Sequence, residues 1–242
     1  PIADLSESIV SDEDSNERCG GDSLFTIIIQ TEDVGGSLHS FLRIIEGEDA
    51  DLAWEVDLGE TDEIKASPVV VDLDYDGKQE IIVSFDLSGT FYVKGYSPEL
   101  ICTVTGWSPG GSHVTELLWT YSDSTLMIGS TDGPYVSSAY GGHKPTAQPL
   151  LADLDLDGTA ELVLSLIEKN SDDPVILALD ITGTSAISIW EKTLDKGTHP
   201  SDPAFLQTDE NTAFVILTSV QSSTSAMWLW KLDASDGDSN WD

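Results

Sequence analysis

Asp72-Leu73-Asp74-Tyr75-Asp76-Gly77-Lys78-Gln79-Glu80 and Asp153-Leu154-Asp155-Leu156-Asp157-Gly158-Thr159-Ala160-Glu161 carry one pattern twice. Each window places carboxylates at its first, third, fifth and ninth positions and glycine at its sixth. A hard cation such as Ca2+ takes about six to eight oxygen ligands. Alternating Asp side chains, a sharp turn at Gly, the carbonyl of the seventh residue and a closing carboxylate supply most of that set. Two Ca2+ sites are expected.

The flanks decide what kind of site this is. An EF-hand opens in the same way but needs a bidentate Glu at its twelfth position and a helix on either side. Here the twelfth residues are Val83 and Leu164. The runs that follow, Glu80-Ile81-Ile82-Val83-Ser84-Phe85 and Glu161-Leu162-Val163-Leu164-Ser165-Leu166, are short, apolar and partly β-branched, which reads as buried strand. The runs that precede, Ser67-Pro68-Val69-Val70-Val71 and Gln148-Pro149-Leu150-Leu151-Ala152, open on proline, whose missing N–H is tolerated where a strand starts. The unit is strand, metal loop, strand.

This unit resembles the FG-GAP (VCBS-like) repeat, the calcium-binding blade motif of integrin α-subunit propellers and of many secreted microbial propeller proteins. The likeness is to the wider class of propeller blades with this loop, since the Phe-Gly and Gly-Ala-Pro marks do not occur here. The resemblance implies that Asp72, Asp74, Asp76 and Glu80 in one copy, and Asp153, Asp155, Asp157 and Glu161 in the other, ligate Ca2+ through side chains. Lys78 and Thr159 are implied to offer backbone carbonyls. The fold it implies is all-β, with propeller blades of four-stranded antiparallel sheets.

The remaining sequence fits such blades. After the second loop come Pro174-Val175-Ile176-Leu177-Ala178-Leu179-Asp180, a turn at Thr182-Gly183-Thr184, and Ile187-Ser188-Ile189-Trp190-Glu191-Lys192. Trp-centred runs recur around Trp54, Trp119 and Trp241. Four strands with an aromatic near the last is a blade signature, similar also to the Trp-bearing blades of quinoprotein-like repeats. Blades of about 40 to 50 residues allow roughly four or five, an incomplete ring. Trp54, Trp119 and Trp190 are expected in the core; Trp228 and Trp230, alternating with Leu229, are expected to share one side of a strand. Between Pro203 and Asp242 a worn copy has lost its carboxylates, so no metal is expected at Asp209-Glu210-Asn211. Phe25-Thr26-Ile27-Ile28-Ile29-Gln30 reads as a second strand without a first. The stretch from Ser108 to Lys144 is either a long insertion or a worn blade.

Residues 1–23, centred on Ser11-Asp12-Glu13-Asp14-Ser15-Asn16-Glu17, have the charge and low hydrophobicity of a disordered acidic arm or linker. Residues 24–242 form the partial propeller. Cys19 and Cys102 leave a disulfide open.

With 44 acidic and 10 basic residues the formal charge is -34. Such a surface repels nucleic acid and anionic membranes, both of which need Lys and Arg clusters. No run of apolar residues is long enough to insert directly into a membrane. The loops account for eight of the acids; the rest load the surface, where salt or divalent cations offset self-repulsion. A halophilic or marine source explains that excess, and an ordinary acidic secreted protein is the alternative.

No nucleophile elbow, P-loop or dinucleotide fingerprint is present. His113 and His143 lie in Gly-rich loops and read as solvated. Two functions follow. The first is a non-enzymatic extracellular or cell-surface module in which Ca2+ rigidifies blade hairpins, while loops bind a protein or glycan or serve adhesion, with another chain as a further candidate partner to complete the propeller. The second is a propeller enzyme, such as a polysaccharide lyase or quinoprotein-like protein, with part of its site in sequence outside these 242 residues.

Overall fold

The computed structural model describes residues 2–5, 9–11, 24–47, 50–64, 66–73, 75–103, 106–107, 116–128, 148–171, 173–182, 184–197, 199–221 and 226–239. Every regular element among them is a strand. The first eight are β1 (Ile2–Asp4), β2 (Ile9–Ser11), β3 (Leu24–Val34), β4 (Ser37–Glu46), β5 (Leu52–Gly59), β6 (Thr61–Glu63), β7 (Val69–Val71) and β8 (Glu80–Leu87). Then come β9 (Thr90–Ser97), β10 (Leu100–Thr103), β11 (Gly106–Trp107), β12 (Glu116–Asp123), β13 (Leu126–Met127), β14 (Leu150–Ala152) and β15 (Glu161–Glu168). The last six are β16 (Pro174–Thr182), β17 (Ser185–Thr193), β18 (His199–Pro200), β19 (Ala204–Asp209), β20 (Thr212–Gln221) and β21 (Ala226–Asp233).

Two compact units are present, residues 1–88 with 93–120, and residues 89–92 with 121–242. The first unit opens with the antiparallel sheet β1-β3-β4-β5. Its long β3–β4 hairpin turns at Gly35 and Gly36, both at positive φ, where the Gly36 N–H donates to Asp33 Oδ1. A second sheet runs β12-β9-β8-β6, with β7 also on β8. A small sheet, β11-β10-β2, has β2 parallel to β10. In the second unit, the third sheet (the small one left uncounted) has β13 and β14 on β15, followed by β16 and β17, and the fourth is built on β20. The last sheet sets β18 and β19 on β20, with β21 beyond.

The expected all-β class of antiparallel, blade-like sheets is what the structure shows. It adds a feature that the sequence hides. In three sheets the first strand is split, its two pieces pairing end to end with one partner: β6 and β7 on β8, β13 and β14 on β15, β18 and β19 on β20. The puzzling stretch from Ser108 to Lys144 is thereby divided. β12 closes the second sheet, and residues 128–149 interrupt the first strand of the third, with 129–147 outside the described residues.

β8 and β15 read as continuous apolar runs because both their faces are covered. Ile81, Ile82, Val83 and Phe85, and Leu162, Val163, Leu164 and Leu166, are all buried. Each such side chain contributes about 1.5–3 kcal/mol. Trp54, Trp119 and Trp190 stand in the last strands of the first three sheets, and all are buried. Trp228 and Trp230 are half-buried, while Met227 and Leu229 face solvent from the other side of β21.

The beginning of the chain departs from the expected arm. Ile2–Asp4 pairs with Leu24–Thr26, and Leu5 is 1% exposed. The first strand thought missing is β1, drawn from residues whose acidic surroundings masked it. Ile9–Ser11 also forms a strand. The acidic centre, residues 12–17, lies outside the described residues, as do Cys19, His113 and His143.

Candidate metal centre

The two loops are built alike. Val71 pairs with Glu80 and Ala152 with Glu161, so the ninth residue of each loop lies opposite the residue that precedes the first. Both glutamates are 3% exposed, held there by the covered strands they open. Between these anchors the backbone repeats itself. The fourth residues, Tyr75 and Leu156, have φ of 58° and 62°, and the glycines at the sixth, Gly77 and Gly158, have 93° and 96°. The left-handed region suits the glycines and costs about 1–2 kcal/mol at a residue bearing Cβ.

The hydrogen bonds repeat as well. The amides of Leu73 and Leu154 donate to Glu80 Oε2 at 2.8 Å and Glu161 Oε2 at 2.6 Å. The glycine amides donate to Asp72 Oδ2 at 3.1 Å and Asp153 Oδ2 at 3.0 Å. The amides of Lys78 and Thr159 each donate at 2.8 Å to Asp76 Oδ1 and Asp157 Oδ1. One carboxylate oxygen of each of these residues therefore ties the loop to itself.

What the other oxygens do is the informative point. Asp72 Oδ1 and Asp153 Oδ1 are shielded from water and have no hydrogen-bond partner. A buried carboxylate oxygen without a partner is costly in a folded protein, and a bound cation would offset that cost. In the second loop, ligand atoms of Asp153, Asp155 and Glu161 lie within 4.8 Å of one another. Two oxygens on one Ca2+ lie at most about 5 Å apart, so the three can share an ion. Burial raises the pKa of Glu161; the Leu154 amide offsets part of this, and the charges of Asp155, Asp153 and Asp157 push it further up. Asp157 moves the other way, lowered by the Thr159 hydroxyl and then by the Thr159 amide.

The structure thus brings Asp153, Asp155 and Glu161 together and leaves Asp157 exposed, bonded to Thr159. In the first loop Asp72, Asp76 and Glu80 take the corresponding places, and Asp74 lies outside the described residues. Sequence reasoning missed the Thr159 hydroxyl, which donates to Asp157 Oδ1 at 2.6 Å; Ser or Thr at the seventh position was its signal. It also missed a polar ladder across the first sheet. Arg43 donates to Glu32, to Glu55 at 3.0 Å and to Gln30 at 2.8 Å, and lies 5.0 Å from the Phe41 ring. Beside it, His39 Nδ1 is 2.8 Å from Asp57. With its partners already in place, Arg43 is occupied in holding strands together.

No family model matches the chain, and no curated protein does. Solved structures give a distant likeness. The exotype rhamnogalacturonan lyase YesX has a TM-score of 0.40 at 14% identity, covering 93% of this chain and 50% of its own. Rhamnogalacturonan lyase YesW and the Bacillus licheniformis rhamnogalacturonan lyase PL11 each score 0.41, at 13% and 14% identity, over 93% of this chain and 52% of theirs. The chain spans about half the length of these proteins, and at such scores the likeness carries no argument about chemistry.

Proposed function

We propose that this chain is a cation-stapled β-sheet module that binds a protein or glycan outside the cell, with Ca2+ as a structural ion in both loops. The observation that supports this most is the duplicated shielded oxygen, Asp72 Oδ1 and Asp153 Oδ1, at the same place in two loops of one backbone shape. Asp153, Asp155 and Glu161 would hold the second ion, with Asp157 and the Thr159 carbonyl closing the loop. Asp72, Asp74, Asp76, Glu80 and the Lys78 carbonyl would hold the first, as in the FG-GAP blades that the sequence resembles. When bound, the ion supplies neutralisation of clustered carboxylates, which ties two strands at one end of a sheet. That is the chemistry of a scaffold, and recognition falls to the loops it steadies. Calorimetric titration with Ca2+ tests the metal, with two equivalents expected and none defeating the reading. A glycan array tests recognition.

A polysaccharide lyase is the second reading, and Lys94 favours it. Desolvation lowers its pKa, the direction a proton-abstracting amine needs, while the Phe85 ring 5.3 Å from its ammonium favours the charged form. Eliminative cleavage of acidic polysaccharides that disappears in Lys94→Met would replace the first reading with this one.

A further inference from the structure

The second loop does more than present carboxylates. Leu154, at its second position, is 2% exposed and belongs to an apolar cluster with Val163, Ile176, Val215, Leu217 and Leu232. Leu156, at its fourth position, packs against the same cluster. The first three of these residues lie on the loop and on β15 and β16; the last three lie on β20 and β21, in the next sheet. The metal loop therefore supplies two side chains to the joint between the third and fourth sheets. That joint is further fastened by the Trp190 indole N–H, which donates to the Ala234 carbonyl at 2.9 Å.

The route from a cation to this joint is short. Glu161, one of the three residues whose oxygens can share an ion, accepts the amide of Leu154 at 2.6 Å. Leu156 follows Asp155, another of the three, and is held at φ 62°, so its side chain reaches the cluster only while the loop keeps this strained shape. Three carboxylates at this separation repel one another and favour an opened loop; a divalent ion between them reverses that preference. The first loop lacks the same reach, because Tyr75, at the place of Leu156, is 69% exposed.

Resting on the metal reading above, we infer that the second loop is a cation-operated clamp: divalent-ion occupancy there sets how firmly the fourth sheet docks on the third, and the first loop has no part in this. The last sheet is thus locked or loosened by the surrounding divalent cation concentration, and any surface it presents is calcium-gated.

Hydrogen exchange of the whole chain, with Ca2+ or with EDTA, tests this on the amides of Thr212–Gln221 and Ala226–Asp233, where no proposed ligand lies. At a Ca2+ concentration about 100 times the dissociation constant, opening-limited exchange there should slow by up to about a hundredfold. Asp155→Asn should abolish the slowing and remove one equivalent from the calorimetric titration. Asp76→Asn should remove one equivalent and leave the slowing intact. Leu156→Ala should keep both equivalents and lose most of the slowing. Ca2+ binding at the second loop with no change in exchange of β20 and β21 overturns the clamp while sparing the metal site. Absence of any Ca2+ binding overturns both.

Discussion

Asp153 is asked to do two incompatible things in the absence of a cation. Its Oδ2 must accept the Gly158 amide, which fixes the carboxylate in place, while its Oδ1 is left shielded and unpartnered beside Asp155 and Glu161. Asp153→Asn keeps an acceptor for Gly158 and removes the charge. In EDTA the variant should melt at or above the wild-type temperature. Wild type should gain about 5–10 °C per occupied loop from Ca2+ at about 100 times its dissociation constant, and the variant should lose the second loop's share of that gain. A variant that melts well below wild type in EDTA while keeping the full Ca2+ gain would show that Asp153 is only a turn residue. Glu161 makes a matching statement about pH. Its folded pKa is raised above 4.5, chiefly by burial, so the ion-free fold binds its proton more tightly than the unfolded chain does. Stability without the ion should fall as pH rises through the raised value. Ion binding needs the charged form, so the Ca2+ gain should shrink as pH drops from neutrality towards 4.5. Melting curves at several pH values, with and without EDTA, check this; a gain that does not vary with pH would remove Glu161 from the ligand set.

At the scale of elements, the tryptophans of β12 and β17 each need a small neighbour. Gly95 in β9 is such a neighbour, since a Cβ there would lie 2.5 Å from the Trp119 ring. Gly237 does the same for Trp190 at 2.7 Å and has φ 73° besides. Gly95→Ala should cost about 1–3 kcal/mol by overpacking, and Gly237→Ala as much or more because strain adds to the clash. Chemical denaturation measures both, and a loss under half a kilocalorie at Gly95 would mean that Trp119 shifts aside freely. These strands also show what the sequence could and could not disclose. The loops were legible because ligation demands particular side chains at fixed intervals, and β8 and β15 because both-face burial leaves unbroken apolar runs. The tryptophans of β5, β12 and β17 were legible because a large side chain recurs once in the last strand of each of these sheets. The splitting of the first strands was not, because β6, β13 and β18 are two or three residues long and exist only through the partner strand they extend. β1 was hidden for the same reason. It is three residues in an acidic context, and what makes it a strand is the open edge of β3. In the site, the carboxylates could be read from spacing, whereas the reach of Leu154 and Leu156 into a neighbouring sheet could not, since alternate apolar residues in a ligand loop look like filler until the packing is known.

For the molecule as a whole, the decisive quantity is the charge of -34 carried by a fold that buries only a few of its acids. Among the described residues Glu46, Glu80 and Glu161 are the buried acids, and the other described acids are partly or fully open to water. The rare cations are spent locally: Arg43 on Glu32 and Glu55, Lys192 on Asp238 at 3.3 Å, and Lys231 over the Phe214 ring at 3.6 Å. Self-repulsion must therefore be relieved from outside, by a diffuse ion atmosphere or by ions bound at the loops. These two routes differ in how they respond to salt. Monovalent salt shortens the screening length from about 10 Å at 0.1 M to about 3 Å at 1 M, which weakens repulsion between surface acids and leaves shielded oxygens such as Asp153 Oδ1 without a ligand. Raising KCl over that range in EDTA should raise the melting temperature by several degrees. Adding Ca2+ at high KCl should still raise it further, by less than at low KCl, because part of the electrostatic benefit of the ion has already been supplied. A melting temperature in EDTA that is flat or falling with KCl would mean that the acidic surface is neutral to stability and that the loops alone govern it. A Ca2+ gain that vanishes at high KCl would mean the reverse, that Ca2+ acts only as a general counterion and that neither loop is a site.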